Sequence, residues 1–64
     1  MLKTLKRIVE MNIIDEVILY DITRNKISTF DVLFIFDVIK DDINIRECKL
    51  VDGILVVVIE FKEV

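Results

Sequence analysis

Histidine, alanine, proline, glutamine and tryptophan are absent from this chain of 64 residues, and cysteine, glycine, serine and tyrosine each occur once. Each shortage removes a class of chemistry. Without histidine, and with Ser28 as the only serine, a nucleophilic triad of the usual kind has no base and little choice of nucleophile. Cys48 has no second cysteine to pair with and no histidine to help it hold zinc, so neither a disulfide framework nor a zinc centre supports the fold. With Gly53 alone, a glycine-rich phosphate loop is excluded.

The remaining candidates for chemistry read more simply as structure. Cys48 has Arg46 and Lys49 as its only nearby cations, and its neighbours across a hairpin are apolar, so it is expected to be a buried structural cysteine. Asp37, Asp41 and Asp42 lack the alternation of acids followed by glycine that a calcium loop requires, and they read as turn and surface charge. Asp21, Glu47 and Glu60 show no spacing that marks an acid–base pair. Tyr20 and the phenylalanines lack the dense Lys and Arg that accompany base-stacking sheets. The expectation is a protein that is not an enzyme and needs no cofactor or metal.

What is present is hydrophobic: 55% of the residues, against 33% charged. That mixture opposes disorder, and the length fits one domain spanning 1–64. The net charge of −3 is uneven. Residues 1–30 balance Lys3, Lys6, Arg7, Arg24 and Lys26 against Glu10, Asp15, Glu16 and Asp21, whereas residues 31–64 set four cations against eight carboxylates. The acidic half disfavours phosphate backbones, so nucleic acid is not the expected partner. The longest apolar runs, 32–36 and 54–59, fall far short of the roughly 18–20 residues a membrane helix needs. Glu10, Asp15 and Glu16 also interrupt any apolar block of signal-peptide type. No membrane association is expected, and the lone cysteine suits a reducing, cytoplasmic setting. The lean toward Ile, Lys and Asn is that of an AT-rich genome, such as a virus, a mobile element or an AT-rich microbe.

Leu2, Leu5, Ile8 and Val9 recur at three- and four-residue spacing among Lys3, Lys6, Arg7 and Glu10, which predicts an amphipathic N-terminal helix ending near Asn12. Residues 16–23 are rich in β-branched and aromatic types and predict a strand, with Arg24-Asn25 as a turn. Phe30, Val32, Phe34, Phe36 and Val38 alternate with a mixed set, which predicts a second strand. The competing reading makes about 29–40 a second helix, begun near Ser28–Asp31. Lys40-Asp41-Asp42 reads as a turn. Beyond it, 43–51 and 54–62 flank Asp52-Gly53, the signature of a two-residue type I′ hairpin. That loop sets Val51 opposite Ile54, then Lys49 opposite Val56 and Glu47 opposite Val58; carried further in regular register, it sets Arg46 opposite Ile59.

The expected fold class is therefore α+β: one N-terminal helix packed on an antiparallel four-stranded β-meander that ends in a strong hairpin. The alternative is a winged-helix-like arrangement with its second helix at about 29–40. The unbroken apolar run of 54–59 requires cover on both faces of the sheet, and so short a chain has little to supply it. Self-association is the expected remedy. Ile18, Ile22, Leu33, Ile35, Ile54, Val56 and Val58 are the candidate interface. The functional expectation is a small protein–protein interaction module, homodimeric or larger, acting as a regulatory or inhibitory adaptor on another protein. The alternative function is nucleic-acid binding, with the 29–40 helix reading bases and the 43–62 hairpin as wing; Asp31, Asp37, Asp41 and Asp42 oppose it, with only Lys40 in compensation.

Overall fold

A computed structural model describes residues 2–11, 13–40 and 42–62, apart from the side chain of Leu2. Its elements in chain order are α1 (Leu2–Glu10), β1 (Glu16–Asp21), β2 (Lys26–Asp31), a 3-10 turn (Val32–Phe34), α2 (Ile35–Val38), β3 (Ile43–Val51) and β4 (Ile54–Phe61). The fold is α+β, with helices on one side of a four-stranded sheet. Asn12, where the first helix was expected to end, and Asp41 of the expected turn lie outside the described residues.

The helix α1 forms from a segment free of glycine and proline, with Arg7 in its last turn where a cation suits the helix dipole. Nine residues make too short a helix to stand alone, so its apolar stripe must pack. Leu5 is fully buried, and Ile8 and Val9 lie against the core beside it.

The sheet order is β2-β1-β4-β3. Two antiparallel hairpins, β1–β2 and β3–β4, meet along a parallel pair, β1 with β4. The expected antiparallel meander is corrected here: the sheet is mixed. A meander would have placed β2 beside β3. Instead the chain leaves β2 as a crossover, the connection that parallel pairing requires.

The crossover exists because residues 32–38 coil. Asp31 is extended (φ −69°, ψ 144°), and its carboxylate accepts a hydrogen bond from the Leu33 amide at 3.0 Å, capping the 3-10 turn. Helical spacing then drives Ile35 and Ile39 into the core, while Leu33, Phe34, Phe36 and Val38 stay exposed. The expected strand through 30–38 is thus confined to β2, which ends at Asp31; only Phe30 and Val32 of its apolar row reach the core. The alternative helix over 29–40 is realised only in its middle: 29–31 belong to β2, 32–34 form the 3-10 turn and Ile35–Val38 the α-helical part.

The two hairpins turn differently. Asp52 and Gly53 both take positive φ (51° and 79°), as a type I′ loop demands, and Val51 pairs with Ile54 as expected. In β1–β2 the loop runs over 22–25. Asp21, 7% exposed, anchors it by accepting from the amides of Thr23 (2.9 Å) and Arg24 (3.3 Å), and Asn25 supplies the left-handed residue at φ 52°.

In β3–β4 the register slips once, between Ile45 and Glu47, so that Ile45 rather than Arg46 faces Ile59. The bulge at Arg46 has a clear cause. The apolar residues of β3 change phase, from Ile43 and Ile45 to Cys48 and Leu50. One extra residue keeps all four turned toward the core. No described helix is long and apolar enough to cross a membrane.

Candidate interaction surface

The core lies wholly on one face of the sheet. Val17 and Leu19 of β1 and Leu55, Val57 and Ile59 of β4 are buried there with Leu5, Ile14, Ile35 and Ile39. Every helical side chain in that cluster therefore serves the same face, and the other face is left open.

The register defines what the open face carries. Residues opposite one another on neighbouring strands point the same way, so three rows cross the sheet from β2 to β3. They are Asp31–Glu16–Ile54–Val51, Thr29–Ile18–Val56–Lys49 and Ile27–Tyr20–Val58–Glu47. Ile18, Tyr20, Ile54, Val56 and Val58 at the centre are half-buried by their neighbours alone, and Ile27 and Val51 are exposed. At the edges, Lys49 Nζ lies 3.4 Å from Glu47 Oε1, and the two carboxylates Asp31 and Glu16 stand opposite each other.

The expected interface residues thus divide. Ile18, Ile54, Val56 and Val58 come together on adjacent strands of the open face. Ile35 does not join them: it is 1% exposed in the core, because the segment carrying it is helical rather than extended. Leu33, 81% exposed, sits on the 3-10 turn, and Ile22 lies in the β1–β2 loop. Tyr20 and Ile27 belong to the face but were missed. A turn at Arg24-Asn25 implies which face they share but not their pairing: a two-residue loop would set Tyr20 opposite Thr29, whereas the loop over 22–25 sets it opposite Ile27.

The polar features elsewhere are structural. Ile22 N donates to Ile59 O at 3.0 Å and Phe61 N donates to Thr23 Oγ1 at 2.8 Å, tying the β1–β2 loop to the end of β4. The Arg24 guanidinium lies 4.2 Å from the centre of the Phe61 ring. An open cleft of about 340 Å3 nearby is rimmed by Asp21, Arg24, Lys26, Asp37, Lys40 and Asp42, with Leu19, Ile59 and Phe61 within it. Asp21 is committed to the loop amides and to Arg24 Nε, 3.8 Å away.

Cys48 is half-buried on the core face opposite Val57. Burial pushes its thiol above the ordinary value, and the Glu47 carboxylate adds to that. A raised pKa keeps the sulfur protonated and disfavours nucleophilic use. Among the described residues no three His, Cys, Asp or Glu side chains gather as a metal site would require. Comparison of the chain with protein-family models, with curated proteins and with solved structures finds no match.

Proposed function

We propose that this chain is a non-catalytic protein–protein interaction module whose first partner is a second copy of itself, met through the open face of the sheet. The observation that carries the reading is the one-sided core: Ile18, Ile54, Val56 and Val58 form a contiguous apolar centre with no helix above it. A face of this kind on a four-stranded sheet is an aggregation hazard when left in water. Fully burying a valine or isoleucine side chain is worth roughly 1.5–3 kcal/mol, a large share of the ~5 kcal/mol on which a small domain stands.

In this reading the assembled protein acts as a regulatory or inhibitory adaptor, binding another protein rather than transforming a small molecule. Sedimentation equilibrium at tens of micromolar is the test. A concentration-dependent dimer or larger assembly is expected; a monomer throughout that range overturns the proposal. Val56→Lys, which places a charge at the centre of the face, is expected to yield a folded monomer with an unchanged circular dichroism spectrum.

A further inference from the structure

We infer that two copies pack face to face about a two-fold axis running along the strands, so that Lys49 of each copy meets the Glu16–Asp31 carboxylate pair of the other. This rests on the self-association proposed above and specifies its geometry.

The inference starts from an imbalance within one copy. Glu16 and Asp31 are directly opposite on β1 and β2, on the open face. Like charges so placed are unfavourable; none of the ion pairs among the described residues involves either, although Asp31 also accepts the Leu33 amide at 3.0 Å. Two strands away, Lys49 on the same face pairs, among the described residues, with Glu47, and the two side chains are 60% and 56% exposed. Pairs that exposed contribute little, so the ammonium is free to choose a better partner.

Two closed arrangements bring the open faces together with the strands nearly aligned, as stacked sheets prefer. A two-fold axis across the strands stacks the middle row on itself, setting Lys49 over Lys49 and Ile18 over Ile18. An axis along the strands reverses the lateral order instead, so β1 of one copy lies over β4 of the other and β2 over β3. Ile18 then covers Val56, and Tyr20 covers Val58. Lys49 lands over Thr29, one row from Asp31 and within reach of Glu16. Glu47 lies at the rim above Ile27, where it keeps its water. Charge separates the two arrangements: the first opposes two ammonium groups, and the second gives each ammonium a carboxylate pair.

Edge-to-edge pairing is the weaker geometry for this chain. At the β3 edge the bulge at Arg46 and the charges of Glu47 and Lys49 guard against added strands. Pairing through β2 would leave Val56 and Val58 in water. With four residues in each of three rows, the face is smaller than the 20–30 residues a side of a standard interface, which points to a modest affinity.

A charge exchange tests the geometry. Lys49→Glu and Glu16→Lys are each expected to weaken self-association about tenfold, as read by sedimentation equilibrium. Mixed in equal amounts, they are expected to associate more tightly than either variant does alone: Lys49 of one copy again meets the native Glu16–Asp31 pair, and the new glutamate of the other meets the new lysine, with Asp31 beside it as the one like charge. Isotope-filtered NOEs on a mixed-labelled native sample give a second reading that needs no variant. They are expected to connect Ile18 methyls of one copy to Val56 methyls of the other. A native dimer that ignores both substitutions, or that shows only Ile18–Ile18 contacts, overturns this arrangement and leaves self-association standing. A monomeric native chain overturns both.

Discussion

Val57 and Val58 are chemically identical neighbours on β4 with opposite fates. Val57 points to the helices and is fully buried; Val58 points away from them and is half-exposed. The same holds along the strand, where Leu55 and Ile59 alternate with Ile54 and Val56. Both faces carry β-branched, strand-forming residues, so composition does not distinguish them. Cover does. α1 and the crossover supply Leu5, Ile35 and Ile39 to one side, and among the described residues no third layer covers the other. A two-layer fold can thus carry strand residues as apolar on its open face as on its covered one.

A carboxylate placed at each of the two positions should separate them most. Val57→Asp buries an unpaired charge, at a cost expected to exceed the ~5 kcal/mol stability of a small domain, and the chain should be unfolded by circular dichroism. Val58→Asp should remain folded and lose only its self-association, as read by light scattering. If Val58→Asp unfolds as well, folding and assembly are one event and the open face is part of the core of an obligate dimer.

The crossover repeats the contrast on a smaller scale. Ile35→Ala removes a side chain from the core and is expected to cost about 2–5 kcal/mol in urea unfolding. Leu33→Ala, two residues earlier and exposed, should fall within about 0.5 kcal/mol of the native chain. A large loss at Leu33 would mean that the 3-10 turn is covered in the assembly.

Next in size is the turn that fixes the β3–β4 register. Gly53 sits at φ 79°, and a Cβ added there would stand 3.2 Å from Asp15 Oδ2, in the segment whose amide donates to Gly53 O at 2.9 Å. Gly53→Ala is expected to lower stability by roughly 1–2 kcal/mol from the left-handed backbone alone. Asp52→Gly, which keeps the positive φ without a side chain, should be nearly neutral. Equal losses for the two would show that the turn is not what sets the register.

How far the sequence revealed these regions follows from the range of the signals. The helix at the N-terminus, the strand beginning at Glu16 and the Asp52-Gly53 hairpin rest on spacing and turn chemistry within a few residues, and all three are in the structure. The crossover was ambiguous because Phe30, Val32, Phe34, Phe36 and Val38 satisfy a two-residue period, while the Asp31 cap and the Ile35–Ile39 spacing satisfy a helical one. The parallel pairing of β1 with β4 joins residues nearly forty positions apart, and no local pattern encodes it. Four of the seven expected interface residues meet on the open face. Ile22, Leu33 and Ile35 lie elsewhere because β1 ends at Asp21 and β2 at Asp31, before reaching them.

The bulge in β3 has a signature in the sequence. The step from Ile45 to Cys48 breaks the two-residue period, and only an extra residue between them restores it. Its role is therefore a backbone one, and this sets the smallest expected effect. Arg46 Nη1 lies 3.1 Å from Glu60 Oε1 across the strands, with the two side chains 60% and 33% exposed. Arg46→Ala removes that pair but keeps the residue that shifts the phase. The expected loss is at most about 0.5 kcal/mol, shrinking further in high salt. Deleting position 46 instead would turn either Ile43 and Ile45 or Cys48 and Leu50 out of the core, and should cost several times more. A loss in Arg46→Ala as large as that of the deletion would show that the ion pair, rather than the phase of the apolar residues, holds the bulge in place.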